Sequence, residues 1–98
     1  MTVYKPIQTF RKDPDAVLDY SFDWSEYLEA GDSAETIATS TFTVDTGLTK
    51  DSDSKDDTTT TVWLSGGTAG ETYEVRNEIV TGDGRTDVRT IKIAVEVR

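Results

Sequence analysis

Two stretches near the end of the chain alternate core-facing and polar side chains with a period of two, and a Gly-Asp-Gly turn separates them. This period is typical of a half-buried β-strand, because successive side chains of a strand point to opposite faces of the sheet. An Asp-Gly pair accommodates the positive φ angles that tight hairpin turns require. The pattern therefore predicts a β-hairpin over residues 73–97. Its core-facing positions are Tyr73, Val75, Asn77 and Ile79 in the first strand and Ile91, Ile93, Val95 and Val97 in the second.

The same kind of alternation predicts strands earlier in the chain. The clearest case is "VLDYSFDW", whose apolar face holds Leu18, Tyr20, Phe22 and Trp24. Residues 36–44 predict a threonine-rich strand, and residues 58–64 predict another. A weaker strand opens at Leu48 and fades into an acidic run.

One short segment departs from the strand pattern. Residues 25–31, "SEYLEAG", predict a single helical turn. Serine is favoured at the N-cap and glycine just after the last helical residue. We therefore expect the turn to begin with Ser25 as its N-cap and to end at Gly31.

About seven short strands separated by turn signals, without helical periodicity, predict an all-β fold, an antiparallel Ig-like β-sandwich. Tyr73 opens a late strand after a glycine-containing corner, as the tyrosine corner of such sandwiches does, although an ordinary core tyrosine has the same pattern. The chain has no cysteine, so the sandwich would lack a disulfide. The predicted interior consists of Leu18, Tyr20, Phe22, Tyr73, Val75, Ile91, Ile93 and Val95.

Size and composition limit the organisation of the chain. Its 98 residues fit one domain, and a hydrophobic content of 35% favours a thin two-layer core. No apolar run reaches the roughly 18 residues of a membrane span, and the first twelve residues lack the apolar region of a secretory signal. We expect an extended N-terminal arm over residues 1–16 and the sandwich domain over residues 17–98, without membrane association.

Candidate chemistry is sparse. The sequence has no histidine, which excludes an imidazole base and the Ser-His-Asp arrangement, and it lacks the cysteine and histidine ligands of ordinary zinc sites. Asp19 and Asp23 lie four residues apart on a polar strand face, where solvated charges are a better interpretation than a glycosidase pair. We therefore predict no catalytic residues, no cofactor and no enzymatic activity.

The acidic run "KDSDSKDD", residues 50–57, invites a calcium interpretation. Aligned on an EF-hand loop from Asp51, it has an aspartate where glycine is needed and Val62 where the bidentate glutamate belongs. We predict a flexible solubilising loop and no required metal, with a weak calcium site as the alternative.

Charge is distributed unevenly along the chain. Residues 1–12 contain three basic residues and no acidic one, whereas the whole chain has a net charge of −9. An acidic body repels phosphate, so nucleic acid is not an expected partner. The predicted protein-binding residues of the arm are Tyr4, Lys5, Ile7, Phe10, Arg11 and Lys12. Their alternative role is to close one end of the sandwich. If the arm binds another subunit, residues 1–12 should be dispensable for folding.

Three segments resemble a family of small phage virion proteins described as fiber–tail adaptor proteins. They are "KDPDAVLDYSFDW" at residues 12–24, "TTTVWLSGGTAGETYEV" at residues 59–75 and "GRTDVRTIKIAVEV" at residues 84–97. The connection "AGDSAETIATS" is longer than is usual in the family, and residues 50–57 are more acidic.

The resemblance implies a non-enzymatic, Ig-like adaptor between tail and fiber or neck components, located in the virion and multimeric there. Its implied partners are other virion proteins. Two alternatives remain: a capsid-decorating or host-surface-binding Ig-like module, and a carbohydrate-binding module with Trp63 as an exposed stacking platform.

Overall fold

A computed structural model describes residues 8–29 and 35–98, and strands dominate both ranges. The all-β prediction is confirmed, since one short helix accompanies the strands in the described residues. The elements are β1 (Gln8–Lys12), β2 (Leu18–Asp23), α1 (Ser25–Glu29), β3 (Ile37–Val44), β4 (Leu48–Lys55), β5 (Thr59–Gly66), β6 (Thr72–Thr81) and β7 (Thr86–Val95).

The strands form two sheets that enclose the core. One sheet has the order β1-β7-β6-β3, and the other has the order β2-β5-β4. When the strands from β2 onward are lettered B to G, the sheets contain B-E-D and C-F-G. Strands B to G are divided between the sheets as in immunoglobulin constant-type domains, but β1 lies beside G and not beside B.

One edge of the predicted antiparallel sandwich is paired in parallel. β1 pairs with β7 in parallel, from Gln8 beside Ile91 to Lys12 beside Val95. A tight turn can join only antiparallel strands, and a parallel pair needs a longer connection. After β1 the chain crosses to β2 in the other sheet, and nearly the whole domain lies between β1 and β7. Five of the sixteen residues of the predicted arm therefore form a strand of this sheet, and the division of the chain at residue 16 stays a prediction.

The predicted hairpin is present as β6 and β7. Tyr73 pairs with Ile93 and Val75 with Ile91, and every second side chain of β6 is buried. The turn between the strands uses Gly84 at a φ of 89°, a conformation that glycine adopts without strain. Val97 lies beyond the end of β7 and is exposed, because no neighbouring strand covers it there.

The interior is built from both sheets and from α1. The buried apolar side chains are Phe22, Trp24, Leu28, Ile37, Phe42, Leu48, Val62, Leu64, Tyr73, Val75, Ile79, Ile91, Ile93 and Val95. Six of the eight predicted interior residues are thus buried, and Tyr20 is half-buried against the core. The prediction for Leu18 is wrong. It is 40% exposed because it begins an edge strand at one end of the sandwich.

Tyr73 occupies the corner that leads into β6. Its hydroxyl oxygen accepts a hydrogen bond from the backbone N–H of Thr68, five residues upstream, at 2.9 Å. A Cβ on Gly47 would lie 2.8 Å from the Tyr73 ring, and one on Gly67 would lie 2.7 Å from a methyl group of Val95. The tyrosine-corner prediction is confirmed in this contact, and both glycines are needed for the close approach.

The acidic run does not form the predicted loop. Residues 50–55 belong to β4, which pairs with β5 and has a bulge between Lys50 and Ser52. Lys50 Nζ donates a hydrogen bond to Asp53 at 2.9 Å. β4 is an edge strand, and its one buried side chain is the leucine at its first position. Alternation could therefore not reveal it.

The helical turn is present, but its start differs from the prediction. Ser25 is the first helical residue, and its backbone N–H donates to a carboxylate oxygen of Asp23 at 3.0 Å. The capping group at this end is therefore an aspartate two residues earlier. The expected stop at Gly31 lies outside the described residues.

Candidate functional site: the β1 edge and the outer sheet faces

The predicted binding residues divide into two groups. Tyr4, Lys5 and Ile7 lie outside the described residues. Phe10, Arg11 and Lys12 belong to β1, which is an edge strand of the four-stranded sheet. These last three residues have different environments, and each environment bears on what the edge can do.

Phe10 lies where the two sheets meet at their β1 and β2 edges. Its register partner on β7 is the buried Ile93, so the ring points toward the interior. The ring is 37% exposed and packs against Tyr20 at a centroid distance of 5.4 Å. Phe10 therefore partly closes the gap between the sheets and leaves part of an aromatic surface in contact with solvent.

Arg11 points to the outer face of the same strand. Its side chain is 70% exposed, and its Nε lies 3.8 Å from a carboxylate oxygen of Glu96. A long ion pair in water contributes little to folding. The guanidinium group is thus available to a carboxylate on another protein.

Lys12 is fully buried, in contrast to Arg11. Its Nζ donates hydrogen bonds to the backbone oxygens of Asp13 at 2.9 Å and Gly66 at 2.8 Å. Burial lowers the pKa of the lysine, and nearby carboxylates, with Asp13 first among them, partly oppose that shift. The ammonium group joins β1 of one sheet to β5 of the other, which matches the alternative in which the arm closes the sandwich.

The segment after Lys12 is fixed by the last residues of the chain. The backbone N–H of Glu96 donates to the Lys12 oxygen at 2.9 Å, and that of Arg98 donates to an Asp13 carboxylate oxygen at 2.9 Å. Amides of Arg98 and Asp15 that bond this carboxylate hold the pKa of Asp13 below its usual value. The C-terminal half of the predicted arm is therefore integrated into the sandwich.

Trp63 lies on the outer face of the three-stranded sheet. It is 42% exposed, and its register partners are Asp19 on β2 and Ser52 on β4. On the same face, the hydroxyls of Ser21 and Thr61 are hydrogen-bonded at 3.0 Å. The aromatic surface thus has polar groups on both sides and is accessible to a ligand.

The described residues include neither a cluster of metal-ligating side chains nor a membrane-spanning helix. Residues 8–29 and 35–98 contain no group of three or more histidine, cysteine, aspartate or glutamate side chains arranged to hold a metal ion. Within the same ranges, no helix is long and apolar enough to cross a membrane. What the sequence and the described surface offer is contact area, hydrogen-bonding groups and charge.

Comparison with known families agrees with this character. The sequence profile of a family described as podophage GP4 fiber-tail adaptor protein gp77 matches residues 12–94. The chain belongs to this family. No individual curated protein matches the sequence significantly.

The match to the fiber-tail adaptor family covers β2 to β7 and only the last five residues of the predicted arm. It begins at Lys12, the buried residue of β1, and ends within β7. Family membership therefore supports a structural adaptor protein of a phage tail. The contribution of residues 1–11 is not covered by the match and stays a prediction.

An ion pair between the buried Glu35 and the partly exposed Arg85 lies beside the turn between β6 and β7. The side chain of Glu35 is 3% exposed and forms an ion pair with Arg85, and it accepts a hydrogen bond from the Thr81 hydroxyl at 2.8 Å. The guanidinium group of Arg85 also lies over the ring of Tyr27, 4.6 Å from its centroid. These contacts fasten α1 to the turn between β6 and β7.

This ion pair predicts a pH-dependent stability. Hydrogen bonds from Arg85 and Thr81 hold the pKa of Glu35 below its usual value. A carboxyl with a depressed folded-state pKa stabilises the fold above its unfolded value of about 4.3, and the contribution is lost as pH falls below it. Denaturant unfolding at several pH values should show Glu35→Gln less stable than the wild type near neutrality. The difference should shrink as the pH approaches about 3.

Glu78→Gln serves as the control, since Glu78 is exposed and the variant changes the net charge equally. A difference between Glu35→Gln and wild type that stays constant from neutral to acidic pH would contradict the prediction.

Proposed function

We propose that this protein is a non-enzymatic structural component of a phage virion that joins the tail to fiber or neck components through protein–protein contacts. The match to the fiber-tail adaptor family over residues 12–94 carries the proposal. The absence of histidine and cysteine from the sequence fits a protein whose role is contact and not catalysis.

The fold provides suitable contact surfaces. A two-sheet sandwich presents two outer faces and four strand edges, and its core positions them rigidly. The β1 edge adds the exposed guanidinium of Arg11 and the partly exposed ring of Phe10. In this proposal the residues before β1, which include Tyr4, Lys5 and Ile7, bind a neighbouring virion protein.

The position of β1 means that a test of the arm should delete residues 1–7 and not residues 1–12. Deleting residues 1–12 would also remove β1 and the buried ammonium of Lys12, so a loss of assembly would be confounded by a damaged fold. Deleting residues 1–7 leaves the strand in place. We expect this shorter deletion to preserve the melting temperature within a few degrees and to reduce incorporation into virions several-fold, as measured by quantitative mass spectrometry of purified particles.

Charge variants separate binding by the β1 edge from a general charge effect. Arg11→Ser should reduce incorporation, and Arg76→Ser, which removes the same charge from an exposed site on β6, should not. Normal incorporation of both the deletion and Arg11→Ser would show that the arm has no docking role. Virions that lack the protein yet carry their fibers would instead overturn the adaptor function itself.

The exposure of Trp63 keeps carbohydrate binding as a second candidate function. Sugar rings stack on exposed aromatic faces. The flanking Asp19 carboxylate can accept hydrogen bonds from sugar hydroxyls, and the Ser52 hydroxyl can accept or donate them. Saturable binding of a glycan that is measured by calorimetry and is lost in Trp63→Ala would favour this candidate. Trp63→Phe keeps an aromatic ring and would show whether the indole itself is needed.

A further inference from the structure

Four strands lie at sheet edges: β1 and β3 in one sheet, and β2 and β4 in the other. An edge strand has unpaired backbone N–H and C=O groups along one side and can pair with another chain. Proteins prevent such pairing with short strands, charged side chains, prolines or bulges. The four edges differ sharply in these protective features.

Three of the edges are protected. β1 has only five residues and includes Arg11. β2 has six residues and carries Asp19 and Asp23. β4 contains two lysines and two aspartates within residues 50–55, together with its bulge.

β3 has none of this protection over most of its length. Its eight residues, "IATSTFTV", include no charged residue and no proline, although 30% of the chain is charged. β3 has a bulge like that of β4, but it lies at the start of the strand between Ile37 and Thr39, and from Thr39 to Val44 the register with β6 runs without a break. In the described part of the chain, β6 is the only strand that pairs with β3.

Apart from the ladder with β6 and a hydrogen bond from the Asn77 side chain to the Thr41 oxygen, Ile37 is the only β3 residue whose backbone groups bond another segment within the described ranges. The N–H of Ile37 donates to the Asp57 oxygen at 3.0 Å, and its C=O accepts from Lys55 Nζ at 3.0 Å. Beyond this point the strand presents three exposed threonines at alternate positions, Thr39, Thr41 and Thr43. Threonine pairs across adjacent strands are favourable contacts.

We propose that β3 pairs with β3 of a second copy of this chain, in antiparallel orientation, which extends the sheet β1-β7-β6-β3 across a two-fold axis. In a contact of this symmetry each surface meets itself, so a charged residue close to the axis would face its own copy. A self-pairing strand must therefore be neutral near the axis. A strand that binds a different protein has no such requirement, because the partner can carry the opposite charge.

The register that suits this pairing follows from the threonine positions. If the axis passes beside Thr41, that residue faces its own copy, and Thr39 faces Thr43 of the second copy. Three threonine pairs then lie on the outer face, and no charged side chain of β3 is involved. The pairing goes beyond the adaptor function proposed above and does not rest on it.

The net charge of the protein predicts how this contact responds to salt. Two bodies of charge −9 repel each other, and added salt screens that repulsion. Self-association through the neutral strand should therefore strengthen as salt rises. Association of the basic arm with an acidic surface would weaken under the same change, so the sign of the salt effect distinguishes the two contacts.

Analytical ultracentrifugation of the purified protein tests the proposal. We expect a monomer–dimer equilibrium whose dimer fraction rises when salt increases from about 0.05 to about 0.5 M, where the screening length falls to a few ångströms. Thr41→Lys places like charges opposite each other and should weaken dimerisation about five- to tenfold. Thr49→Lys changes the net charge equally on the exposed β4 edge and should leave the dimer at least as stable as in the wild type.

Thr43→Lys provides a second variant on the same strand if Thr41→Lys melts at a lower temperature, since Thr43 is also exposed. A wild-type protein that stays monomeric at about 1 mM in high salt would overturn the proposal, because that excludes even a weak contact. It would also be overturned if Thr49→Lys abolished the dimer as strongly as the β3 variants, or if neither β3 variant affected it.

Discussion

Replacing Phe22 with alanine is expected to lower the free energy of unfolding by about 3–5 kcal/mol, the usual cost of truncating a buried phenylalanine. Phe22 is 5% exposed and belongs to β2, and its ring meets that of Phe42 on β3 edge-on at a centroid distance of 5.7 Å. The pair joins the two sheets, so the truncation leaves a cavity between them. A domain of this size has a stability of about 5–15 kcal/mol, of which the loss is a large part.

Denaturant unfolding of Phe22→Ala and Phe10→Ala provides the measurement and its control. Phe10 has the same side chain but is 37% exposed at a sheet edge, so its truncation should cost distinctly less. Equal losses for the two variants would contradict the placement of Phe22 in the core between the sheets.

Replacing Asn77 with leucine is expected to cost about 2–5 kcal/mol, since buried donors that lose their acceptor cost about 1–3 kcal/mol each. The side-chain oxygen of Asn77, which is fully buried, accepts from the Trp24 indole N–H at 3.0 Å and from the Thr60 hydroxyl at 2.6 Å. Its nitrogen donates to the Ser40 hydroxyl at 2.9 Å. Leucine would leave the indole and the hydroxyl without this acceptor in the core.

A double-mutant cycle with Thr60→Val shows whether the cost arises from these unpaired donors. Valine removes the Thr60 hydroxyl, so Asn77→Leu should cost about 1 kcal/mol less in that background than in the wild type. The same cost in both backgrounds would mean that lost packing, and not an unpaired donor, accounts for the effect. Thermal or denaturant unfolding of the four proteins gives the required values.

Alternation predicted the strands that have one buried face. It worked best for β6 and β7, where inward and outward side chains differ in character, and it placed Asn77 correctly on the inward face. The sequence could not show what that asparagine bonds, because its partners Trp24, Ser40 and Thr60 lie 17 to 53 residues away and meet it only in the folded sandwich.

Alternation failed at two of the four edge strands, β1 and β4. β4 has one buried side chain and β1 has only Lys12, so neither has the apolar face that the pattern detects. The burial of Lys12 was not predictable from its charge, since it depends on the Gly66 carbonyl 54 residues away. Tyr4, Ile7 and Phe10 are three residues apart, which is not the period of two that indicates a strand.

The parallel pairing of β1 with β7 determines how this domain bears a mechanical load. A pull on the residues before Gln8 and on those after Val95 acts in opposite directions along two neighbouring strands that run the same way. Their hydrogen bonds, evenly spaced in a parallel pair, are then loaded together in shear instead of being opened one after another. A link stretched between two larger bodies through its two ends would therefore resist tension at β1 before the force reaches the hairpin behind it.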